Sequence, residues 1–125
     1  MLIRYKKNLE KIAMGLLSFM PQEKKDVKKL LQTIKEYETN DGWHLYLWKD
    51  EDVLGAIGVK IKEVDKQVII QHLSVTPSHR NLGIGKQMVH EIRKQYQDKY
   101  TVSATDEIQD FYDKSEDISD QIDEQ

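Results

Sequence analysis

Apolar residues recur along this chain with two periods, and the switches between them divide it into elements. Leu9, Ile12, Ala13, Leu16 and Leu17 repeat at helical spacing. After Pro21 a second helical stripe follows, formed by Val27, Leu30, Leu31, Ile34 and Tyr37. Leu2 to Tyr5, ahead of both, reads as a short strand, and Asn40-Asp41-Gly42 supplies turn chemistry after them. Trp43 to Trp48 and Val53 to Ile61 are predicted strands joined by the acidic turn Lys49-Asp50-Glu51-Asp52, a hairpin. Val64-Asp65-Lys66 reverses the chain again into Gln67 to Val75. Ile84, Met88, Val89, Ile92 and Tyr96 mark an amphipathic helix, Thr101 to Ala104 a short strand, and Ile108, Phe111 and Tyr112 a last helix. The order is therefore strand, two helices, three antiparallel strands, helix, strand, helix.

At 125 residues with 38% apolar content, one domain with one core is the simplest reading. The formal net charge of -3 hides a division. Residues 106 to 125 hold nine acids against Lys114 alone, so the body before them is mildly basic. A domain over residues 1–115 and a short acidic tail over 116–125 are expected, and Ile118 and Ile122 stand one helical turn apart in the tail. Low apolar content there favours disorder or a marginal helix. A basic body suits a polyphosphate ligand, but Lys24-Lys25 and Lys28-Lys29 read as solvated helix faces, so no nucleic acid is expected. Cysteine is absent, which excludes a disulfide framework, a thiolate metal site and a Cys nucleophile. His44, His79 and His90 show no metal-ligand spacing with acids, so no metal is expected. The start lacks a secretory pattern and no run of ~20 apolar residues occurs, so the expectation is a cytoplasmic protein without membrane contact.

The chemistry concentrates in Leu73-Ser-Val-Thr-Pro-Ser-His-Arg-Asn-Leu-Gly-Ile-Gly-Lys-Gln-Met88, where a strand passes through a Pro turn into a Gly-rich helix start. A first helical turn leaves backbone N–H groups unpaired at the positive end of the dipole, and glycines let an anion approach the main chain. A nucleotide-like cofactor carrying a diphosphate fits best. A dinucleotide fingerprint fails, because Met88 stands where its third Gly belongs and no carboxylate follows in the region Ser103 to Asp106. A Walker loop fails because Gly85-Lys86-Gln87 lacks Lys-Ser/Thr and the glycines are too close.

What remains, Val75-x-Pro77-x-x-Arg80-x-x-Gly83-x-Gly85, resembles the pantetheine-diphosphate loop of the GNAT acetyltransferases. The order of elements resembles the GNAT fold over nearly the whole chain: α/β (α+β) class, a mixed central sheet with a splayed strand pair, here C-terminally truncated. The unit around residues 67 to 104 should then be a right-handed parallel crossover. The resemblance implies acetyl-CoA (coenzyme A) as co-substrate, its diphosphate on the main chain of Asn81, Leu82, Gly83, Ile84, Gly85 and Lys86. Arg80 would add charge or shape the loop. The strand end Leu73-Ser74-Val75 would lie along the pantetheine, with Leu73 and Val75 offering backbone groups. An amine acceptor would attack the thioester while backbone N–H groups stabilise the oxyanion.

Asp110-Phe111-Tyr112-Asp113-Lys114 resembles the family's Phe-Tyr-x-Lys segment, which implies that Tyr112 protonates the departing thiolate. A phenol, with an ordinary pKa near ~10, keeps its proton for that step; the competing reading is packing beside Phe111. Two bases are candidates. His72 lies within the strand, where an imidazole with an ordinary pKa of ~6.5 is either a base or a hydrogen-bonded structural residue. Glu63 ends the preceding strand beside Lys62 and is either a base or a surface carboxylate. The chain departs from the pattern with Thr105 where an Asn is common, with Ser115-Glu116-Asp117 after the Lys, and without a final strand pair. The acceptor pocket is thus unusually open or completed by a homodimer. The short length, the Gly42-Trp43-His44-Leu45-Tyr46 segment and the acidic end resemble members associated with riboflavin-biosynthesis operons of Gram-positive bacteria, which implies a link to flavin metabolism and leaves the small-molecule amine open.

Two other classes of function stay open at this level. One is a catalytically degenerate acyl-CoA sensor or regulatory module, which Tyr112→Phe would separate from an enzyme by slowing only the latter. The other is an adaptor acting through its tail, which would lose its partner but keep cofactor binding when residues 116–125 are removed.

Overall fold

The structure is a computed structural model that describes residues 1–20 and 26–109. Strand β1 (Leu2–Arg4) leads through a 3-10 turn at Lys7–Leu9 into helix α1 (Glu10–Leu17), followed by α2 (Val27–Thr39). Three strands, β2 (Trp43–Asp50), β3 (Asp52–Lys62) and β4 (Gln67–Val75), form an antiparallel meander. Helix α3 (Ile84–Tyr96) then carries the chain to β5 (Thr101–Ala104), which pairs with β4 in parallel. The five strands lie in sequence order, β1-β2-β3-β4-β5, and residues 106–109 are helical. Phe111, Tyr112 and the tail 116–125 lie outside the described residues.

Local chemistry accounts for the boundaries. The Asp26 side chain accepts the Lys29 N–H at 3.0 Å and caps α2, a contact worth about 1 kcal/mol. The β2–β3 reversal is tighter than the expected four-residue turn, since Glu51 alone separates the strands at φ 64° and a bulge falls at Trp48/Lys49. Lys66, at φ 53°, makes the β3–β4 reversal.

Helices cover both faces of the sheet. Gly55 and Gly58 stand three residues apart on β3 and so point to opposite faces. A Cβ on Gly55 would come within 2.9 Å of the Met88 side chain on α3, and one on Gly58 would overlap the Tyr37 hydroxyl on α2. Helix α2 therefore lies on one face and α3 on the other. Residues 54–59 of β3 are buried throughout, as a strand covered on both sides must be. The stripe predicted for α2 is only partly inward: Leu30, Thr33, Ile34 and Tyr37 are buried, whereas Val27 and Leu31 are exposed. Ile12 of α1 is exposed as well. These are corrections to the sequence reading, and they arise because each helix meets the sheet along a narrower seam than its apolar stripe.

Candidate functional site

The parallel ladder between β4 and β5 stops early. Its last pair is Ile70↔Ala104, and Thr105 N–H closes it by donating to Ile70 O at 3.0 Å. Strand β4 continues to Val75 without β5 beside it, so residues 71–75 present a strand edge to a wedge. One irregularity precedes that edge: the register against β3 shifts between Gly58/Val59, so Gln71 is an extra residue in β4. Beyond the bulge, Thr76 N–H donates to Leu54 O of β3. By strand alternation the backbone groups of Leu73 and Val75 therefore face the wedge. Leu73 N–H donates to Met20 Sδ at 3.3 Å, and Val75 O accepts from Arg80 Nε at 3.1 Å.

A cavity of about 740 Å³ fills this wedge. Its floor is Leu73, Ser74 and Val75, and one wall is the loop and helix start from His79 to Asn81 and from Gly83 to Lys86. The end of α1 (Phe19, Met20) and the segment after β5 (Glu107, Ile108) close the sides. The structure thus brings together nine of the ten residues expected to hold the cofactor. Leu82, the tenth, is 65% exposed and outside the cavity lining.

The helix start has the form of an anion seat. Asn81 and Gly83 both take left-handed backbone conformations, at φ 68° and φ 84°. Gly83 caps α3 with no side chain on the helix, and Gln87 N–H is the first in α3 to reach an intrahelical acceptor, Gly83 O at 3.0 Å. The amides of Ile84, Gly85 and Lys86 thus open the helix at its positive end beside the cavity. No acidic residue occupies that first turn. A Cβ on Gly83 would meet nothing within 4 Å, so the space over the loop is clear. Arg80 extends over the Phe19 ring at 5.5 Å while holding Val75 O, and so braces the loop against both the strand end and α1. At the apex of the wedge Thr105 Oγ1 is buried and has no partner among the described residues. Unpaired amides at a helix start, an open backbone surface and an orphaned hydroxyl along a strand edge fit a diphosphate followed by an amide-bearing arm.

The expected catalytic residues are dispersed. His72 is 6% exposed and does not line the cavity; its Nδ1 lies 2.5 Å from the Tyr37 hydroxyl, which also accepts from Gln71 Nε2 at 3.0 Å. Ser74, two residues on along the same face, donates to Leu16 O at 2.5 Å. Glu63 is not brought to the cavity. It follows β3 at the end of the sheet where Lys62 pairs with Gln67, eight residues of β4 away from Val75, or about 26 Å. There the Tyr100 hydroxyl donates to it at 2.7 Å, which with Lys66 nearby holds its carboxyl below the usual range. Tyr112 lies outside the described residues. Sequence reading missed Phe19, Met20, His79, Glu107 and Ile108 as cavity walls; Pro21 marked a helix end and Ile108 a helix stripe, and neither says what it covers. Among the described residues no cluster of three or more His, Cys, Asp or Glu could hold a metal, and no helix is long and apolar enough to cross a membrane.

A meander feeding a Gly-rich helix start, with a parallel strand splayed beside it, defines a class of acyl-transfer domains. The family model "Acetyltransferase (GNAT) domain" matches residues 40–115, and the chain belongs to that family of acyltransferases. It is 60% identical over 100 residues, 79% of its length and 82% of the relative's, to a protein described as an uncharacterized N-acetyltransferase in the lysA 3' region of Bacillus methanolicus. Its fold is similar to that of the aminoglycoside N-acetyltransferase AAC(6')-Iy in complex with CoA, with a TM-score of 0.68 at 18% identity over 85% of this chain and 75% of that one. It is similar too to a structure described as a transcriptional regulator from Bacillus halodurans C-125, with a TM-score of 0.66 at 14% identity over 83% and 79%. At those identities the likeness is one of fold.

Proposed function

We propose that this acyltransferase moves the acetyl group of acetyl-CoA to the amine of a small molecule. The observation that carries the reading is the continuity of the uncapped α3 start, with Gly83 at φ 84°, and the unpaired edge of β4 through one cavity. Acetyl-CoA is the co-substrate. Its diphosphate would rest on the amides from Asn81 to Lys86 and its pantetheine would run along Val75 and Leu73 toward the apex at Thr105. The thioester carbonyl would take the Leu73 N–H, a donor aimed at the point where negative charge develops.

The amine nitrogen forms a bond to the carbonyl carbon, the carbon–sulfur bond breaks, the amine gives up a proton and the thiolate takes one. We assign the first proton to His72 acting through water, since it stands next to Leu73 and Glu63 is at the far end of the sheet. We assign the second to Tyr112. A homodimer would complete the acceptor side of the pocket. The acceptor class we favour is an amine of flavin metabolism, on the resemblance of the 42–46 segment and the acidic end to RibT, the small GNAT protein associated with riboflavin operons.

Calorimetric titration with acetyl-CoA tests the donor, beside a variant carrying Gly83→Asp and Gly85→Asp. Saturable binding by the native chain alone is expected and would justify an acceptor screen that follows CoA release. No heat and no thermal stabilisation up to millimolar acetyl-CoA would sink the reading.

A further inference from the structure

Leu73 N–H is a half-buried main-chain donor on the cavity side of β4, and its partner is a thioether sulfur, Met20 Sδ at 3.3 Å. Sulfur is a weak acceptor, far poorer than a carbonyl oxygen. Buried amides are normally paired with backbone, with side-chain oxygen or with water. At the neighbouring edge position the acceptor, Val75 O, has the charged Arg80 side chain as its partner. The weak pairing thus falls on an edge donor that faces the cavity.

Met20 is held from behind. It follows the last turn of α1, its own N–H donates to Leu17 O at 3.0 Å, and the residue is 5% exposed. Its backbone is fixed by helix geometry while its side chain has three rotatable bonds, the most adaptable of the large apolar residues. A group in that position is easily turned aside and cannot leave.

We propose that Met20 is the acyl-size determinant of this enzyme: its thioether occupies the Leu73 N–H until a thioester carbonyl displaces it, and the displaced side chain then walls the acyl methyl. The inference rests on the acyl-CoA reading above. A longer acyl chain has to enter the volume that Met20 fills, so acetyl-CoA is preferred over butyryl-CoA. Met20→Ala removes three heavy atoms and admits the two extra methylenes, worth roughly tenfold in relative affinity. Met20→Leu keeps the bulk but removes the sulfur, so the preference for acetyl over butyryl persists while the advantage of acetyl-CoA over free CoA grows, nothing having to be displaced from Leu73.

Calorimetry on the full chain needs no acceptor. Wild type, Met20→Ala and Met20→Leu are titrated with CoA, acetyl-CoA and butyryl-CoA. The expected result is a shift of at least tenfold in the butyryl-to-acetyl ratio for Met20→Ala, with CoA affinity within about twofold of wild type. An unchanged ratio with normal CoA binding overturns the role of Met20 and leaves the donor assignment standing, whereas failure of wild type to bind CoA or acetyl-CoA removes both. Should Met20→Ala not fold, the amide spectrum of Met20→Leu decides. Its Leu73 resonance should differ from wild type in the free protein and converge with it on adding acetyl-CoA but not CoA, and a Leu73 amide indifferent to both the substitution and acetyl-CoA refutes the proposal.

Discussion

Gly83 allows the effect of charge at the α3 start to be separated from the effect of backbone strain. The residue sits at φ 84°, where a Cβ costs about 1–2 kcal/mol. Because that Cβ would meet nothing within 4 Å, Gly83→Ala carries the strain and little else. Its thermal midpoint should fall by roughly 3–8 °C for a domain of this size, with CoA affinity reduced only slightly. Gly83→Asp adopts the same conformation at lower cost, since Asp tolerates the left-handed region better than Ala. Its carboxylate also faces the positive end of α3, a gain of about 0.3–1 kcal/mol. The Asp variant should therefore be at least as stable as the Ala variant. Its affinity should behave in the opposite way. A carboxylate ~5 Å from a diphosphate charge costs about 3 kcal/mol at an effective dielectric of ~20, or on the order of 100-fold in Kd. In ~1 M salt, where the screening length is about 3 Å, the gap between the two variants should shrink below tenfold. Calorimetry with CoA and thermal melts on both variants measure the two orders. If Gly83→Asp bound CoA within threefold of Gly83→Ala at low salt, no diphosphate would sit on this helix start and the site assignment would fail.

The sheet and its far end yield further expectations. Gly58→Ala drives a methyl into the Tyr37 hydroxyl and should lower stability by about 1–3 kcal/mol in urea unfolding. Tyr37→Phe takes the hydroxyl from His72 and Gln71 at a cost of about 1–3 kcal/mol, and the double variant should lose less than the sum, because the nearest of the clashing atoms is removed while the ring carbon Cζ, 2.5 Å from the added Cβ, still has to shift. At the Glu63–Tyr100 contact the carboxyl is lowered and the phenol raised, each chiefly by their shared hydrogen bond. The carboxylate's contribution is present above its unfolded pKa and lost as pH falls through the folded one. The phenol's contribution is present below its unfolded pKa and lost as pH rises through the folded one. The small stability gap between wild type and Tyr100→Phe should accordingly be widest between about pH 5 and 9 and close on both sides; a flat gap from pH 3 to 11 would refute the coupling.

What could be read from the chain depended on the range over which each interaction acts. Gln67–Val75, Ile84–Tyr96 and Thr101–Ala104 coincide with their predicted spans, because period and flanking turn chemistry are local. The bulge at Gln71 left no mark in the sequence, since it is a property of the register against β3. Tyr37 was assigned to a helix stripe and His72 to a strand, 35 residues apart, and nothing local says that one hydroxyl serves the other. Met20 meets Leu73 across 53 positions.

The misplacement of Glu63 is different in kind, because connectivity alone speaks against it. In an antiparallel meander the turn before β4 and the loop after it lie at opposite ends of the strand. A site built where β4 ends can draw only on chain that reaches that end: the β2–β3 turn, the loop into α3, and whatever follows the parallel strand β5. Glu107 and Ile108 satisfy this rule, residues 62–66 do not, and the end of α1 joins the site by running back from the opposite end of β1. Among the proton acceptors weighed from sequence, the rule leaves His72, which stands on the part of β4 beyond its last pairing with β5. Proximity in sequence to a catalytic strand is therefore informative only together with the strand's direction.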